Sequence, residues 1–399
     1  MNSLRFSDTA SIDRRAFESG PAAGGRCPSW RGRNDIFGPV GPCEAIGVLT
    51  RLGLAQGLSA VRLTALTIAR TLSLSTLALE ARHMTTSNAT ITHPLSAADG
   101  LALAKIRTDA ATQRATLAAG PQPSLEQTRA GYDANVGLTR PADGVTYEPA
   151  TVGGVAGVWC RPKDARTDAA ILYLHGGAYM LGSSVGYRNL AGQIAARSTT
   201  QVFVADYRRA PEQPFPAAVD DSVAAYNGLV ELGFRAMAVA GDSAGGALSL
   251  ATIASTRSAL VRPCAAVMFS IWSDLALTGQ SFQERAARDP QLTPQILSNG
   301  AAGYLHGRSA HDPLASPLYA DVDGYPPLQF HVGTEELLLD DTIRSGERAQ
   351  AAGVQATIHV WEGMVHVFPR FVGTFEAAAA ALDIAAAFLR ERLPVLTAT

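Results

Sequence analysis

One serine of this chain stands between glycines at the junction of a predicted strand and a predicted helix. Residues 236–240 (AMAVA) are short and apolar, as in a buried strand, and residues 247–254 (ALSLATIA) read as a helix packed against it. Between them, residues 241–245 follow the Gly-x-Ser-x-Gly pattern of a nucleophile elbow. The glycines fit a turn too tight for Cβ atoms, so the pattern predicts that Ser243 is exposed above a sheet.

Length and composition favour one large α/β domain with a cap and an extension. The chain has 399 residues, of which 47% are hydrophobic and 17% charged, so a sizeable core is available. A net charge of -2 gives no electrostatic reason to expect nucleic acid or an anionic membrane as a partner.

The cysteines show no spacing typical of a metal site. There are four of them, at positions Cys27, Cys43, Cys160 and Cys264. We interpret them as free thiols in a reducing, cytoplasmic compartment; a disulfide between Cys27 and Cys43 is the alternative. Neither a metal nor a cofactor is expected.

The first 83 residues differ from the rest. No acidic residue occurs from 45 to 79 while arginine recurs, a pattern that looks like an organelle transit peptide. The arginines interrupt every apolar run before about 18 residues accumulate, so no membrane span is predicted. Residues 1–83 are therefore expected to be a disordered, targeting or mis-annotated extension, with translation starting at Met84 as one alternative, and residues 84–399 to form the domain.

Further along, strand and helix patterns alternate. A hairpin is expected at 145–152 and 155–160, and a helix with apolar residues at helical spacing ends at Gly233. This alternation predicts an α/β fold with a doubly wound, mostly parallel sheet. Its strands are expected at 170–174, 201–206, 236–240, 265–270, 328–332 and 357–360.

Two segments are candidates for a helical cap. The stretch 96–136 suggests two helices, opened by Ser96 and Ser124, each followed three residues later by a side chain that fits a capping box. The stretch 274–325 is too long for a simple strand-to-helix connection and is interrupted by prolines.

A serine nucleophile needs a base, and His366 has the right place for it. It follows the last predicted strand, where the chain order serine, acid, histidine puts the base. Of the eight histidines, His331 and His359 lie within predicted strands and are better explained as sheet residues. His306 and His311 lie in the second cap segment, where solvated loops are the simpler explanation.

The acid that orients this base is expected after the strand at 328–332, where four carboxylates compete: Glu335, Glu336, Asp340 and Asp341. Glu336 is favoured because it is close to the strand end, and Asp340 comes second. Asp340 and Asp341 are better placed to cap the next helix, expected to begin near Thr342.

Backbone N–H donors for a developing oxyanion are suggested by Gly176, Gly177 and Ala178, which follow a predicted strand, and by Ala244 behind the nucleophile. Glycines there allow close approach of backbone to substrate, although an ordinary turn between strand and helix would read the same way.

Four ordered motifs now form a recognisable set. They are His-Gly-Gly-Ala at 175–178, the run at 206–217, Gly-Asp-Ser-Ala-Gly-Gly at 241–246 and the acidic run at 333–341. The set resembles the hormone-sensitive-lipase family of carboxylesterases, and the resemblance runs from about residue 145 to 367. It implies an α/β-hydrolase fold with a helical cap and no cofactor.

The chain departs from that family at two positions. Ala178 stands where the family usually has a third glycine, and Glu336 where many members have aspartate. Alanine keeps its N–H, so the donor should survive if its φ is negative. Asp206, Arg208 and Glu212, which lie in a family motif, are expected to brace loops.

We therefore predict a serine hydrolase that cleaves carboxylic esters with small or medium acyl chains through Ser243, His366 and Glu336 and an acyl-enzyme. Lactones are also open as substrates, because the chain resembles monoterpene lactone hydrolases and acetyl-hydrolases of the same family. The partner is a small-molecule ester; a homodimer is left open.

The alternative from another class is a binding receptor on the same fold, as in plant gibberellin receptors, which resemble this family but lack the histidine. Retention of His366 argues against it. A dehalogenase or epoxide hydrolase would need aspartate in place of Ser243.

Overall fold

The structure, a computed structural model, describes residues 88–395. The extension predicted at 1–83, the Met84 start and the pairing of Cys27 with Cys43 lie outside the described residues.

Within residues 88–395, nine strands form one sheet. The strands are β1 (Ala89–His93), β2 (Val145–Val152), β3 (Val155–Pro162), β4 (Arg166–Leu174), β5 (Thr200–Ala205), β6 (Ala236–Asp242), β7 (Ala266–Phe269), β8 (Leu328–Gly333) and β9 (Ala356–Trp361).

The strands are ordered β1-β9-β8-β7-β6-β4-β5-β3-β2. In this sheet β3 pairs antiparallel with both of its neighbours, and the other pairs are parallel. The order reverses at β4, which lies between β5 and β6, and ligands of open α/β sheets bind at such a point, beyond the carboxyl ends of the strands.

Helices connect the strands in the described stretch. They are α1 (Ala97–Ala119), α2 (Leu125–Val136), α3 (Ser184–Ser198), α4 (Ala217–Glu231), α5 (Ala244–Ser255), α6 (Ser281–Glu284), α7 (Pro294–Leu305), α8 (Leu339–Ala351) and α9 (Glu376–Arg392), with 3₁₀ turns at Pro317–Tyr319 and Phe368–Phe371.

The predicted α/β class and all six predicted strands are confirmed, with bounds that differ by up to four residues. The predicted hairpin is also present as β2 and β3. Strand β1 is not among the predicted strands, and it pairs in parallel with the edge of β9.

Buried side chains lie on both faces of the sheet, as a parallel sheet requires. Along β4, Ile171 and Tyr173 join the core shared with α3 and α9, whereas Leu172 and Leu174 join the core shared with α4 and α5. Different helices thus cover the two faces, and loops follow the carboxyl ends of the parallel strands.

The two predicted capping boxes differ in the structure. Ser124 and Gln127 form both hydrogen bonds of the box at the start of α2. Ser96 accepts from the N–H of Asp99, but the Asp99 carboxylate accepts from the Glu376 N–H at 2.7 Å instead of closing the box. The carboxylate thereby satisfies free N–H groups at the start of α9, a partner that lies too far along the chain for sequence spacing to indicate.

Candidate active site

Ser243 occupies a strained turn between β6 and α5. Its φ is 52° and its ψ is -122°, a conformation that L residues rarely adopt. Its N–H donates to Phe269 O at 2.9 Å, and its carbonyl accepts from the Trp272 N–H at 3.0 Å. Backbone hydrogen bonds on both sides therefore hold the serine in this turn.

The glycines of the elbow are required by close approach of the backbone. A Cβ on Gly245 would lie 1.9 Å from Leu174 O, and one on Gly241 would lie 2.4 Å from Gly245 O. Real Cβ atoms do not come so close to backbone oxygen, so the predicted reason for the two glycines is confirmed.

His366 and Glu336 form a buried pair. His366 Nδ1 lies 2.8 Å from Glu336 Oε2, and the Glu336 side chain is fully buried. The other carboxylate oxygen, Oε1, accepts from the Gly333 N–H at 2.7 Å and from Ser270 Oγ at 2.9 Å. A carboxylate only accepts hydrogen bonds, so the pair puts the imidazole proton on Nδ1 and leaves Nε2 as a base.

Across residues 88–395, no hydrogen bond joins Ser243 Oγ to His366 Nε2. Hydrogen bonds between catalytic groups are often long until substrate binds. Asp242 directly precedes Ser243 in the elbow. Burial raises the pKa of Asp242 to about 6, while hydrogen bonds from Tyr173 and Tyr187 and the charge of His366 lower it.

Glu335, which competes with Glu336 for the role of acid, points elsewhere. Its carboxylate forms ion pairs with Arg107 of α1 and with Arg288. The Arg288 Nε lies 3.0 Å from Glu335 Oε2. Glu335 therefore joins both predicted cap segments to the loop after β8, and its carboxylate does not contact His366.

Asp340 and Asp341 do not contact His366 either, and they do not cap α8 as expected. The helix begins at Leu339, three residues before the predicted start at Thr342, and has no side-chain cap. Asp340 instead accepts from the Ser281 N–H at 2.9 Å. Asp341 accepts from the backbone N–H groups of residues 273 and 274 at 2.9 and 2.8 Å.

The predicted oxyanion donors separate into two groups. The Gly176 N–H donates to Asp242 Oδ1 at 3.0 Å and so is not free for an oxyanion, in contrast to the prediction. In the part of the chain that the structure describes, the N–H groups of Gly177, Ala178 and Ala244 have no acceptor. Gly177 and Ala178 lie on the loop after β4, and Ala244 is the first residue of α5, directly after Ser243.

Ala178 does not meet the condition of a negative φ. Its φ is 53° and that of Tyr179 is 61°, both in the left-handed region. An L residue there costs about 1–2 kcal/mol, which explains why a glycine is usual at this position. The N–H of Ala178 is retained, although its direction is set by a left-handed turn.

Aromatic side chains pack beside this loop. The Tyr179 ring stacks on the Tyr304 ring of α7 with centroids 3.6 Å apart, and the Trp272 ring lies 5.9 Å from Tyr179. A Cβ on Gly300 would lie 3.0 Å from Ala178 Cβ. Helix α7, from the second predicted cap segment, thus packs directly on the loop that carries the N–H donors.

All three residues that were expected to brace loops form hydrogen bonds with other residues of this chain. The pairs are Asp206 with Ser184, Arg208 with Asp221, and Glu212 with Arg129 of α2. His331 and His359 lie in β8 and β9 as predicted, and His306 and His311 are exposed.

Two residues near His366 were missed in the sequence. Ser270 donates to Glu336 and accepts from the Val367 N–H at 3.0 Å, while Gln291 Nε2 donates to His366 O at 3.0 Å. The sequence pattern indicates Ser270 only as the end of the strand predicted at 265–270. Its place at the carboxyl end of β7, between the elbow and the acid loop, was the available signal.

Other predicted features concern metal, membrane and thiols. No group of three or more potential ligand side chains is placed to hold a metal within residues 88–395. None of the helices in this stretch is long and apolar enough to cross a bilayer. Cys160 and Cys264 are free thiols, as predicted.

Comparison with known proteins places the chain in a family. The profile of a family described as alpha/beta hydrolase fold matches residues 171–370. An acetyl-hydrolase of Streptomyces hygroscopicus is 40% identical over 277 residues, covering 67% of this chain and 90% of the relative. An esterase of Acinetobacter venetianus is 35% identical over 246 residues, covering 60% and 81%. The chain belongs to the α/β-hydrolase fold family.

Solved structures of esterases are also similar to this chain. An esterase from the bacterial hormone-sensitive lipase family has a TM-score of 0.69 and 38% identity, covering 75% of this chain and 99% of that one. The resemblance to hormone-sensitive-lipase carboxylesterases is thereby confirmed. This protein is a hydrolase that acts on ester bonds.

Proposed function

We propose that this hydrolase is a serine carboxylesterase in which Ser243 is the nucleophile, His366 the general base and Glu336 the acid that orients the base. The observation that carries the proposal is the buried contact of 2.8 Å between His366 Nδ1 and Glu336 Oε2, at the sheet edge where Ser243 occupies its strained turn. Glu336 fixes the tautomer and stabilises the imidazolium that forms.

The reaction proceeds in two halves. Ser243 Oγ forms a bond to the ester carbonyl carbon while its proton passes to His366 Nε2. The carbon–alkoxy bond then breaks, and the imidazolium gives the proton to the leaving alcohol. In the second half, water attacks the acyl carbon, its proton passes to Nε2, and the bond to Oγ breaks as Oγ regains a proton.

The oxyanion that develops on the carbonyl oxygen is held, in this proposal, by the N–H groups of Gly177, Ala178 and Ala244. Their freedom from other acceptors supports this assignment, whereas Gly176 is left out because Asp242 uses its N–H. Each such donor typically contributes about 10²–10³-fold in kcat.

Small acyl groups are the proposed substrates, with medium chains as the upper range. Two observations support this. The side chains of Tyr179, Trp272 and Tyr304 are buried and pack against one another beside the donor loop. The relative from Streptomyces hygroscopicus is named an acetyl-hydrolase.

Hydrolysis of p-nitrophenyl acetate, butyrate, octanoate and palmitate by the full chain tests the proposal. We expect the acetate and butyrate esters to be hydrolysed fastest. Ser243→Ala should reduce kcat by about 10³-fold or more, because none of the other residues in the elbow at 241–245 carries a hydroxyl.

Ser249→Ala is the matched control. Ser249 lies in α5, the helix that follows Ser243, and is also buried. Among residues 88–395, its hydroxyl bonds only the Gly245 carbonyl, at 2.8 Å. We expect this variant to keep its activity. Equal activity of Ser243→Ala and wild type would refute the assignment of Ser243 as the nucleophile. If the palmitate ester were hydrolysed fastest, the proposed preference for small acyl groups would be refuted.

A further inference from the structure

Ser270 is a buried residue with an unusual backbone at the end of β7. Its side chain has no exposed surface, and its φ of 50° lies in the left-handed region although it is not glycine. Its N–H donates to the His331 carbonyl of the neighbouring strand β8 at 2.7 Å. The backbone of Ser270 is thus tied to the sheet, which fixes the position of its hydroxyl.

That hydroxyl connects two loops. It donates to Glu336 Oε1 at 2.9 Å, and it accepts from the N–H of Val367 at 3.0 Å. Val367 follows His366 directly and has a left-handed φ of 49°. The loop with the carboxylate and the loop with the imidazole therefore meet at one oxygen atom.

We infer that Ser270 is a positioning residue for ester hydrolysis, which aligns the Glu336 carboxylate and the His366 imidazole through its hydroxyl. This inference rests on the proposed function. The hydroxyl and the Gly333 N–H both occupy Oε1, so Oε2 is left for His366 Nδ1 and the rotation of the carboxylate is fixed. The bond from Val367 holds the backbone that carries the imidazole.

The hydroxyl also affects the charge of the pair. A carboxylate that accepts fewer hydrogen bonds binds a proton more tightly, and it also attracts a neighbouring imidazolium more strongly. Removing the Ser270 hydroxyl should therefore move the acidic limb of the kcat/KM profile to higher pH. A residue that only filled space would leave that limb unchanged.

The test uses Ser270→Gly, because glycine accepts the left-handed backbone and removes only the hydroxymethyl group. With p-nitrophenyl acetate we expect kcat to fall about 10- to 100-fold, with KM within about twofold, since misalignment acts on the transition state. The acidic limb of the kcat/KM profile should move to higher pH by roughly half a unit to one unit.

Ser273→Ala is the matched control. Ser273 is equally buried and lies three residues further on, but its hydroxyl bonds Ser345 Oγ at 2.8 Å and the Asp341 carbonyl at 3.2 Å. We expect its pH profile to equal that of the wild type. A Ser270→Gly variant with wild-type kcat and an unshifted acidic limb would overturn the inference.

A second measurement needs no variant. In the wild-type protein, hydrogen exchange of the Val367 amide reports on its bond to Ser270, and we expect it to be as protected as amides of β8. Rapid exchange at Val367 would overturn the inference even if Ser270→Gly failed to fold. Failure of the proposed function would look different, because Ser243→Ala would then be as active as the wild type.

Discussion

Left-handed backbone at residues other than glycine gathers around this site. Ala178, Ser243, Ser270 and Val367 have φ between 49° and 53°. Each costs about 1–2 kcal/mol relative to an ordinary conformation, so the surrounding sheet and helices must hold them in place. The fold thus stabilises the backbone at the proposed N–H donors, the proposed nucleophile and the proposed acid–base pair.

At this scale, we expect Glu336→Gln to reduce kcat for p-nitrophenyl acetate by about 10³-fold or more, because an amide can present an N–H to Nδ1 and favour the wrong tautomer. Glu335→Gln is the matched control one residue earlier. Its carboxylate binds Arg107 and Arg288, so we expect kcat to change by less than about tenfold.

Steady-state kinetics of the two variants decide between the neighbouring carboxylates. A larger loss of kcat for Glu335→Gln than for Glu336→Gln would show that Glu336 is not the acid of the site. Thermal unfolding of both variants shows whether a loss of kcat is caused by a loss of stability of the folded protein.

The elbow, the histidine and a preferred acid could be predicted because each follows a strand end, and strand ends can be recognised from apolar runs. The hydrogen bond from the Gly176 N–H to Asp242 could not be predicted, because it depends on how the loop after β4 faces the end of β6, 66 residues further along the chain. The φ of 53° at Ala178 could not be predicted either, because an alanine ordinarily takes a negative φ.

At the scale of elements, β1 is an edge strand that the sequence pattern did not predict. Its residues alternate between half-buried and exposed, and the sequence ATITH has only two apolar side chains. It is held by the side chain of His93, whose Nε2 lies 2.9 Å from His359 Nδ1 and whose ring stacks 3.7 Å from that of Trp361. This is a tertiary signal, which no local run of residues carries.

The same contact makes β1 sensitive to acid. Burial lowers the pKa of His93, and burial followed by the charge of His93 lowers the pKa of His359 to about 3. The unfolded imidazoles take up protons near pH 6.5 and the folded ones only at lower pH, so the stability they contribute falls as pH drops below about 6.5. We expect β1 to be released first, because one strand pairs with it.

Hydrogen exchange measured by mass spectrometry at pH 7.5 and pH 5, corrected for intrinsic rates, checks this. Residues 89–93 should lose protection at pH 5 while β6 keeps it. His93→Phe keeps an aromatic ring beside Trp361 and cannot be protonated, so its β1 should lose less protection at pH 5. Equal protection of wild-type β1 at both pH values would contradict the expectation.

For the whole molecule, distant segments converge on a few buried carboxylates. Arg107 and Arg288 meet at Glu335, Asp99 joins α1 to α9, and Asp341 joins α8 to the loop after β7. The sequence predicted the α/β order of the elements, because apolar periodicity is local. It did not predict these connections, because a carboxylate can cap, pair or catalyse from the same position in a chain.

Asp341 gives these connections a pH dependence. Burial and then the negative charge of Asp274 raise the pKa of Asp341 to about 8. The folded group keeps a proton that the unfolded group releases above about pH 4, so the free energy of unfolding falls as pH rises from about 4 to 8, by on the order of 1 kcal/mol per pH unit at most.

Asp341→Asn removes this titration and keeps an oxygen for the same backbone N–H groups. We expect its free energy of unfolding, relative to the wild type, to increase as pH rises from 5 to 8. Urea unfolding of both proteins at pH 5, 6.5 and 8 measures the difference, and a constant difference would show that Asp341 titrates normally.

The parallel pairing of β1 with β9 has a practical consequence for handling the enzyme. Ala89 pairs with Thr357 near the amino end of β9, whereas His366 follows the carboxyl end of that strand. A chain shortened to begin at Asn88 and coupled to a solid support there would be attached on the side of the sheet away from Ser243. Such an immobilised catalyst would present its reactive edge to the surrounding liquid.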